Sequence, residues 1–332
     1  MISSNNNIQK HINTQETVFR DVRKNGKEND WQGKKKANIN YADLLSELHF
    51  LKAKNVKTCA EVMTFEPTEA GHLKLKQTWF CKSKLCPLCN WRRAMKHSNQ
   101  VIQIIDEAVQ REPNGRFLFL TLTTKNTYDA DELKDELSLM TKAFNKLKQY
   151  KKVKQNLLGF MRATEVTVND KDNSYNQHMH VLLFVKSTYF KNKENYITQD
   201  ELTNLWQKAL QVDYIPIVNV QAVKPKKSTK KSKNHLLGAV YETAKYPVKS
   251  VDYLTDNHEK NLKRVEDLET ALAHKRLISF GGLFKEIRKE LQLKDVEDDE
   301  LISTDSDEDK KATTGELIVA YWNWERKNYF IK

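Results

Sequence analysis

Two histidines one residue apart open a short apolar run, His178-Met179-His180-Val181-Leu182-Leu183-Phe184-Val185. The run has the length of a strand, and side chains two apart on a strand point to the same face. His178 and His180 therefore project side by side, close enough to hold one ion. Glu165, in Arg162-Ala163-Thr164-Glu165-Val166-Thr167, lies on what reads as the neighbouring strand, across a polar turn over 169–174. Two imidazoles and a carboxylate can bind a divalent cation and still leave positions open for water and phosphate oxygens. A nucleophile for a phosphorus centre is available in Tyr241-Glu242-Thr243-Ala244-Lys245-Tyr246. Glu242 precedes Tyr246 by one helical turn on the same face, and Lys245 adjoins it. Pro247 disfavours helical geometry at Tyr246, which puts the phenol at a helix end. A phenol ionises at about pH 10 unperturbed, so a cation or base beside it is required for attack. Each piece alone has an ordinary structural reading, a core histidine or an interfacial tyrosine; the combination points to DNA strand cleavage.

A second cluster has a different chemistry. The four cysteines are spaced Cys59-x21-Cys81-x4-Cys86-x2-Cys89. The Cys86-Pro87-Leu88-Cys89 knuckle aims two thiolates at one ion, as zinc sites do. Cys81 supplies a third ligand, and Cys59 is the simplest fourth, with His72 and His97 as alternatives. Four ligands close the site and make it structural. Trp91-Arg92-Arg93 follows at once and pairs a stacking ring with phosphate-binding groups, so Arg92 and Arg93 are candidate DNA contacts. Residues 224–233 hold six lysines, of which Lys226, Lys227, Lys230 and Lys231 are candidates for the DNA backbone.

These groups need elements to position them. The chain has 332 residues, 39% apolar and 30% charged, with a net charge of +12. The charge favours a polyanionic partner. No run approaches the length of a membrane span and the N-terminus lacks a signal-peptide core, so a cytoplasmic protein with no membrane partner is expected. Phe117–Thr123 reads as a buried strand. Asp129 or Asp131 caps a helix with Leu133, Leu137, Met140, Phe144 and Leu147 on one face. Strands follow near 160–168 and 177–185. Thr198 and Glu201 form a capping box for a helix with Leu202, Leu205, Trp206 and Ala209, and Ile215–Val223 is a fourth strand. The fold class is α+β: a ferredoxin-like, RRM-like antiparallel sheet with helices on one face and the other face free, plus a small zinc-binding module. The expected division is a mostly disordered polar segment over 1–56, a Cys-rich module over 57–100, a core with the tyrosine helix over 110–255, and a C-terminal helical extension over 256–332. That extension contains an acidic linker at 295–311, and the apolar stretch 317–324 docks back.

Together these pieces resemble the rolling-circle plasmid replication initiators of the HUH endonuclease superfamily. The resemblance is to the Gram-positive plasmid group with one catalytic tyrosine, a preceding glutamate and an N-terminal cysteine cluster. It rests on Phe119-Leu120-Thr121-Leu122-Thr123-Thr124, Glu165-Val166-Thr167, His178-Met179-His180, Glu242-x3-Tyr246 and the cysteine knuckle with Arg92-Arg93. Lys275-Arg276-Leu277-Ile278-Ser279-Phe280-Gly281-Gly282 also looks like a family segment, and the likeness covers roughly 57–290. Asn176-Gln177 stands where relatives often carry a further histidine. The resemblance implies an HUH core in which His178, His180 and Glu165 hold magnesium or manganese. Tyr246 would attack the scissile phosphate, keep the 5′ end as a phosphotyrosine and free a 3′ hydroxyl; Glu242 would activate water for termination. It also implies plasmid origin DNA, with an extruded single-stranded nick site, as substrate, and a host helicase and DNA polymerase as partners. The competing expectations are an HUH transposase or relaxase, and a non-catalytic zinc-containing binder of single strands.

Overall fold

The computed structural model describes residues 16–331 apart from 24–25, 70, 224–237, 242, 244–247, 298 and 305–314. The chain opens with β1 (Thr17–Val18), α1 (Trp31–Glu47), α2 (Ala53–Lys57) and a hairpin of β2 (Val62–Pro67) and β3 (Leu73–Thr78). The long α3 (Pro87–Arg111) leads to β4 (Arg116–Thr123), α4 (Ala130–Leu147), the short α5 (Lys151–Asn156) and β5 (Leu157–Val168). Then come β6 (Tyr175–Val185), α6 (Gln199–Leu210) and β7 (Val218–Val223). The described part ends with α7 (His258–Leu272), β8 (Ile278–Gly282), α8 (Leu283–Glu290), β9 (Ile318–Asn323) and β10 (Asn328–Ile331). Among the described residues no helix is long and apolar enough to cross a membrane.

The central sheet runs β7-β4-β6-β5-β8, every neighbouring pair antiparallel. Alternation decides its faces. Leu118, Leu120 and Leu122 of β4 and Met179, Val181 and Leu183 of β6 share one core with Met140 and Phe144 of α4 and Trp206 of α6. Each such side chain contributes roughly 1.5–3 kcal/mol on burial. The helix starts are set by side-chain caps: Asp129 accepts from Glu132 N at 2.9 Å, and Thr198 from Glu201 N at 3.1 Å. The fifth strand, β8, was not foreseen. It lies close on β5 because glycine allows it: Gly282 has φ +56°, and a Cβ there would sit 2.3 Å from Leu158 O.

Several expectations are corrected. The fourth strand starts at Val218, not Ile215; Ile215 and Ile217 are 77% and 75% exposed, and Pro216 lacks the N–H a ladder needs. The second face of the central sheet is not free of helices. Val101, Ile104, Ile105 and Ala108 of α3 and Phe284 and Ile287 of α8 pack there on Phe117, Met161, Leu182 and Phe184. The helical turn at 238–241 adds Ala239 and Val240. The histidine end of that face is left to the candidate site.

Residues 31–57 are not disordered. Trp31, Tyr41, Leu44 and Leu45 of α1 are buried in a second core, and the polar groups that hid this are satisfied. Lys35 is fully buried and donates to Lys57 O and Cys59 O at 2.7 Å each; Asn38 donates to Val56 O at 2.9 Å. The acidic segment is not a plain linker over 295–304. Asp299 pairs with buried Lys96 at 2.7 Å, and Leu301 enters the second core. The C-terminal extension is not only helical: β9 pairs with β2 in a sheet ordered β1-β10-β9-β2-β3.

Candidate active site

β6 is the centre of the site. His178 pairs with Thr123 of β4 and with Glu165 of β5; His180 pairs with Thr121 and Ala163. The register thus puts both imidazoles and the carboxylate on one face. Glu165 Oε2 lies 3.3 Å from His178 Nε2 and 3.2 Å from His180 Nε2. Glu165 and His180 are buried, and His178 is half-buried. Phe119 stacks on the His180 ring at 5.5 Å.

The donor geometry tests whether these residues fit a cation. His178 Nδ1 faces two acceptors, Asn176 Oδ1 at 3.2 Å and Asn176 O at 3.4 Å. The Asn176 amide is oriented by its donation to Asn126 Oδ1 at 3.1 Å. Nδ1 of His178 therefore carries a hydrogen, and Nε2 is the ring atom turned toward the carboxylate. Both Nε2 atoms and Glu165 Oε2 converge on one point, where a cation can take all three as ligands. Two adjacent ligands at about 2.1 Å from an octahedral ion stand about 3 Å apart, close to the spacings observed. The residues fit a divalent cation. Burial alone would raise the Glu165 carboxyl. The hydrogen bonds of His178 and His180, and then Lys249, outweigh it and hold the group well below the usual carboxylate range.

Lys249 was missed by sequence reasoning. Its Nζ stands 3.1 Å from Glu165 Oε1, on the oxygen that the histidines do not use. The only signal was its place three residues after Tyr246. Tyr246, Glu242 and Lys245 lie outside the described residues, as do Lys226, Lys227, Lys230 and Lys231. On either side of the tyrosine segment the described residues are anchored. Thr243 is buried with its hydroxyl donating to Ala239 O and Val240 O at 3.0 Å each, and Val248 is buried in the second core.

The four cysteines converge, and neither His72 nor His97 joins them. Cys59 and Cys81 each lie 3.6 Å from Cys89 (Sγ to Sγ), and Cys86 lies 3.7 Å from Cys59. These spacings are far too long for disulfides. They match the roughly 3.8 Å between ligands of a tetrahedral ion with 2.3 Å metal–sulfur bonds. Asn38 Nδ2 donates to Cys86 Sγ at 3.3 Å, a contact that favours a thiolate. The donor set and its spacing fit zinc.

The family model for replication proteins, Rep_1, matches residues 72–330. The chain is 54% identical over 317 residues to "Protein rep" of Lactiplantibacillus plantarum, covering 95% of this chain and 99% of that protein. It is 44% identical over 321 residues to "Protein rep" of Streptococcus pneumoniae, covering 96% and 97%. The chain belongs to the Rep_1 family of replication proteins. A Staphylococcus aureus "Replication protein" is 56% identical over 238 residues, covering 72% of this chain and all of that relative. No solved structure matches. The family resemblance stated from the motifs is therefore correct. The Rep_1 match begins at residue 72, downstream of Cys59 and α1, whereas the full-length relatives span those too.

Within this Rep chain, Arg92 and Arg93 are placed differently from expectation. Arg92 is 6% exposed; its Nε donates to Leu301 O at 2.9 Å and its guanidinium also reaches Ile302 O. Arg93 donates to Ser83 O at 3.0 Å and Lys82 O at 2.5 Å. Both groups tie loops to α3, so the reading of Arg92 as a DNA contact is corrected. A basic pair beside a tryptophan looks the same in sequence whether its acceptors are phosphates or the chain's own carbonyls.

Proposed function

We propose that this Rep protein initiates rolling-circle replication of a plasmid by nicking single-stranded DNA at the origin. The observation that carries the reading is the convergence of Glu165, His178 and His180, with Lys249 on the free oxygen of Glu165. Lys249 follows Tyr246 by three residues, and chain connectivity limits their Cα separation to about 11 Å. That reach supports the phenol as nucleophile. The β-α-β-β-α-β order and the spatial order β7-β4-β6-β5 fit a ferredoxin-like HUH core. The transposase, relaxase and pure-binder alternatives are not favoured by the family found.

In this reading Glu165, His178 and His180 would hold a magnesium or manganese ion, which would supply Lewis-acid polarisation of the scissile phosphate. Asn176 orients the His178 ring through Nδ1. Tyr246 forms a bond to phosphorus, the 3′ oxygen leaves as a hydroxyl, and the 5′ phosphate stays on the tyrosine. Lys245 adds positive charge beside it. Glu242 activates water for the terminating cleavage, a general-base contribution of about 10²–10⁴-fold. The four cysteines hold zinc as a structural ion. Lys226, Lys227, Lys230 and Lys231 bind DNA phosphates; host helicase and polymerase act on the exposed 3′ end. The cell compartment is the cytoplasm.

The test is incubation of labelled single-stranded origin DNA with the protein and Mn²⁺. The expected result is a covalent adduct on the Tyr246 peptide, lost in Tyr246→Phe with DNA binding retained. Glu242→Ala should keep the adduct and impair its release. An adduct that persists in Tyr246→Phe, or maps elsewhere, overturns the assignment.

A further inference from the structure

Away from the metal site, α3 and the strand β8 enclose a cavity of about 290 Å³. His97 forms part of its wall. This histidine is 2% exposed, and neither ring nitrogen has a hydrogen-bond partner. The Nε atoms of Arg93 and Arg288, on the same wall, are also buried without an acceptor. Buried polar groups are nearly always paired, so three orphans around one cavity call for a ligand. The wall carries six Lys and Arg side chains (82, 84, 93, 275, 276, 288) against two carboxylates, Asp295 and Glu297. An anionic ligand is favoured. The space exceeds what an inorganic anion needs and is near the lower end for small-molecule sites.

The chemistry of the inner wall narrows the ligand. Burial pushes the His97 imidazole down to about pKa 3, so the ring is neutral and offers one donor and one acceptor. Such a ring pairs with a neutral polar edge that has both, as a nucleobase does, rather than with an anion. The terminal nitrogens of Arg93 serve Ser83 O and Lys82 O, and Arg288 pairs with Asp295, but the Nε–H groups of both are left to donate to a phosphate oxygen. The position also matters. Ile278, on the wall, pairs with Ala163 of β5, two residues from Glu165, and Phe280 pairs with Met161. The cavity thus flanks the face that carries the metal ligands.

We propose that this cavity is a mononucleotide subsite, taking one base against His97 with its phosphate toward the arginines of the wall. Two sources share this chemistry: a nucleotide of the substrate strand flanking the nick, or a free nucleotide. The first rests on the nicking function proposed above. It would make His97 a specificity determinant for the origin strand, touching a base that is not cleaved.

The experiment measures binding without added divalent ion, so it does not depend on cleavage or on Tyr246. In one arm, single-stranded origin oligonucleotides carry an abasic residue walked through each position around the nick. In the other, dAMP, dCMP, dGMP and TMP are titrated into the full-length protein. The DNA source predicts one position where loss of the base weakens binding about tenfold or more, a penalty that disappears in His97→Phe, which removes both the donor and the acceptor. The free source predicts saturable binding of at least one monophosphate, lost in His97→Phe. Circular dichroism checks the fold of the variant. If it does not fold, the wild-type scan and titration decide alone. Absence of both signals, or signals unchanged in a folded His97→Phe protein, overturns the proposal. Failure of the tyrosine adduct with a positive scan would instead overturn only the nicking function.

Discussion

At the scale of single residues, the candidate metal face is organised by how the carboxylate of Glu165 is shared. Oε2 meets both histidines and Oε1 meets Lys249, so every strong acceptor direction faces a cation or a ligand group. Removing Lys249 would leave Oε1 buried against nothing, which is why we expect Lys249→Ala to weaken divalent-ion binding as well as nicking. Loss of a residue that orients a metal ligand typically costs about 10–100-fold in metal affinity. Calorimetric titration with Mn²⁺ checks this, and unchanged affinity would remove Lys249 from the site. His97 makes a second residue-level prediction. Its folded pKa is near 3, well under the usual imidazole value of 6.5, because it is buried beside Arg288. The unfolded chain therefore takes up a proton that the folded protein refuses. Stability is intact above the ordinary histidine range and is lost as pH falls from there toward the folded value, by about 1.4 kcal/mol per pH unit. His97→Gln removes this contribution, so urea unfolding of the variant should be less acid-sensitive between neutral pH and pH 4 than that of the wild type. Equal slopes would show that the ring protonates freely in the native state.

At the scale of elements, α3 joins three jobs in one helix. Cys86 caps its start and Cys89 lies in its first turn, its middle holds the 299–304 segment through Arg92, Lys96 and Asn99, and its last turns cover the central sheet. Arg92→Ala should therefore destabilise the fold by about 2–3 kcal/mol, since the buried carbonyls it serves are left without their donor. The slope of DNA affinity against salt should not change. Replacing Lys226, Lys227, Lys230 and Lys231 by glutamine should do the opposite: stability within about 0.5 kcal/mol of wild type, and a slope reduced by about 0.7 for each single-strand phosphate that is no longer neutralised. Salt-dependent binding and denaturant melts on the two variants separate the roles. Much of the element level was legible beforehand. The α4 face from Leu133 to Leu147 and the caps at Asp129 and Thr198 are local signals, and local signals survive folding. The stripe Val101, Ile104, Ile105 and Ala108 also has helical spacing, but nothing in the sequence says which surface it covers. Arg92 was misread for the same reason: its acceptors are carbonyls some 209 residues away. The histidine pair was readable because a strand's period of two fixes the face without any knowledge of tertiary structure.

At the scale of the whole molecule, the two ends of the chain close one structure around the cysteines. β9 lies between β10 and β2, and Trp322 N donates to Glu61 O at 2.8 Å. Tyr329 Oη donates to Ala60 O at 2.6 Å, one residue from Cys59. Trp322 and Tyr329 share their core with Cys59, Cys86 and Cys89, and with Leu133 and Leu137 of α4. The cysteine region is therefore not a module that stops near residue 100; its sheet is completed by residues more than 200 positions later. Sequence division into consecutive domains could not show this, because strand partners so far apart leave no local pattern. Truncation after residue 314 should strip β9 and β10 from that sheet and expose β2 as an edge. We expect the truncated protein to hold substoichiometric zinc and to melt in two steps, an early one for the cysteine region and a later one for the central sheet. Among the described residues, the core between the central sheet and helices α4 and α6 contains none beyond 223, so the later step should remain cooperative. Metal analysis and differential scanning calorimetry on the full and truncated chains test it directly: full zinc occupancy with a single unshifted transition would mean that the C-terminal strands cover the cysteine region without holding it together.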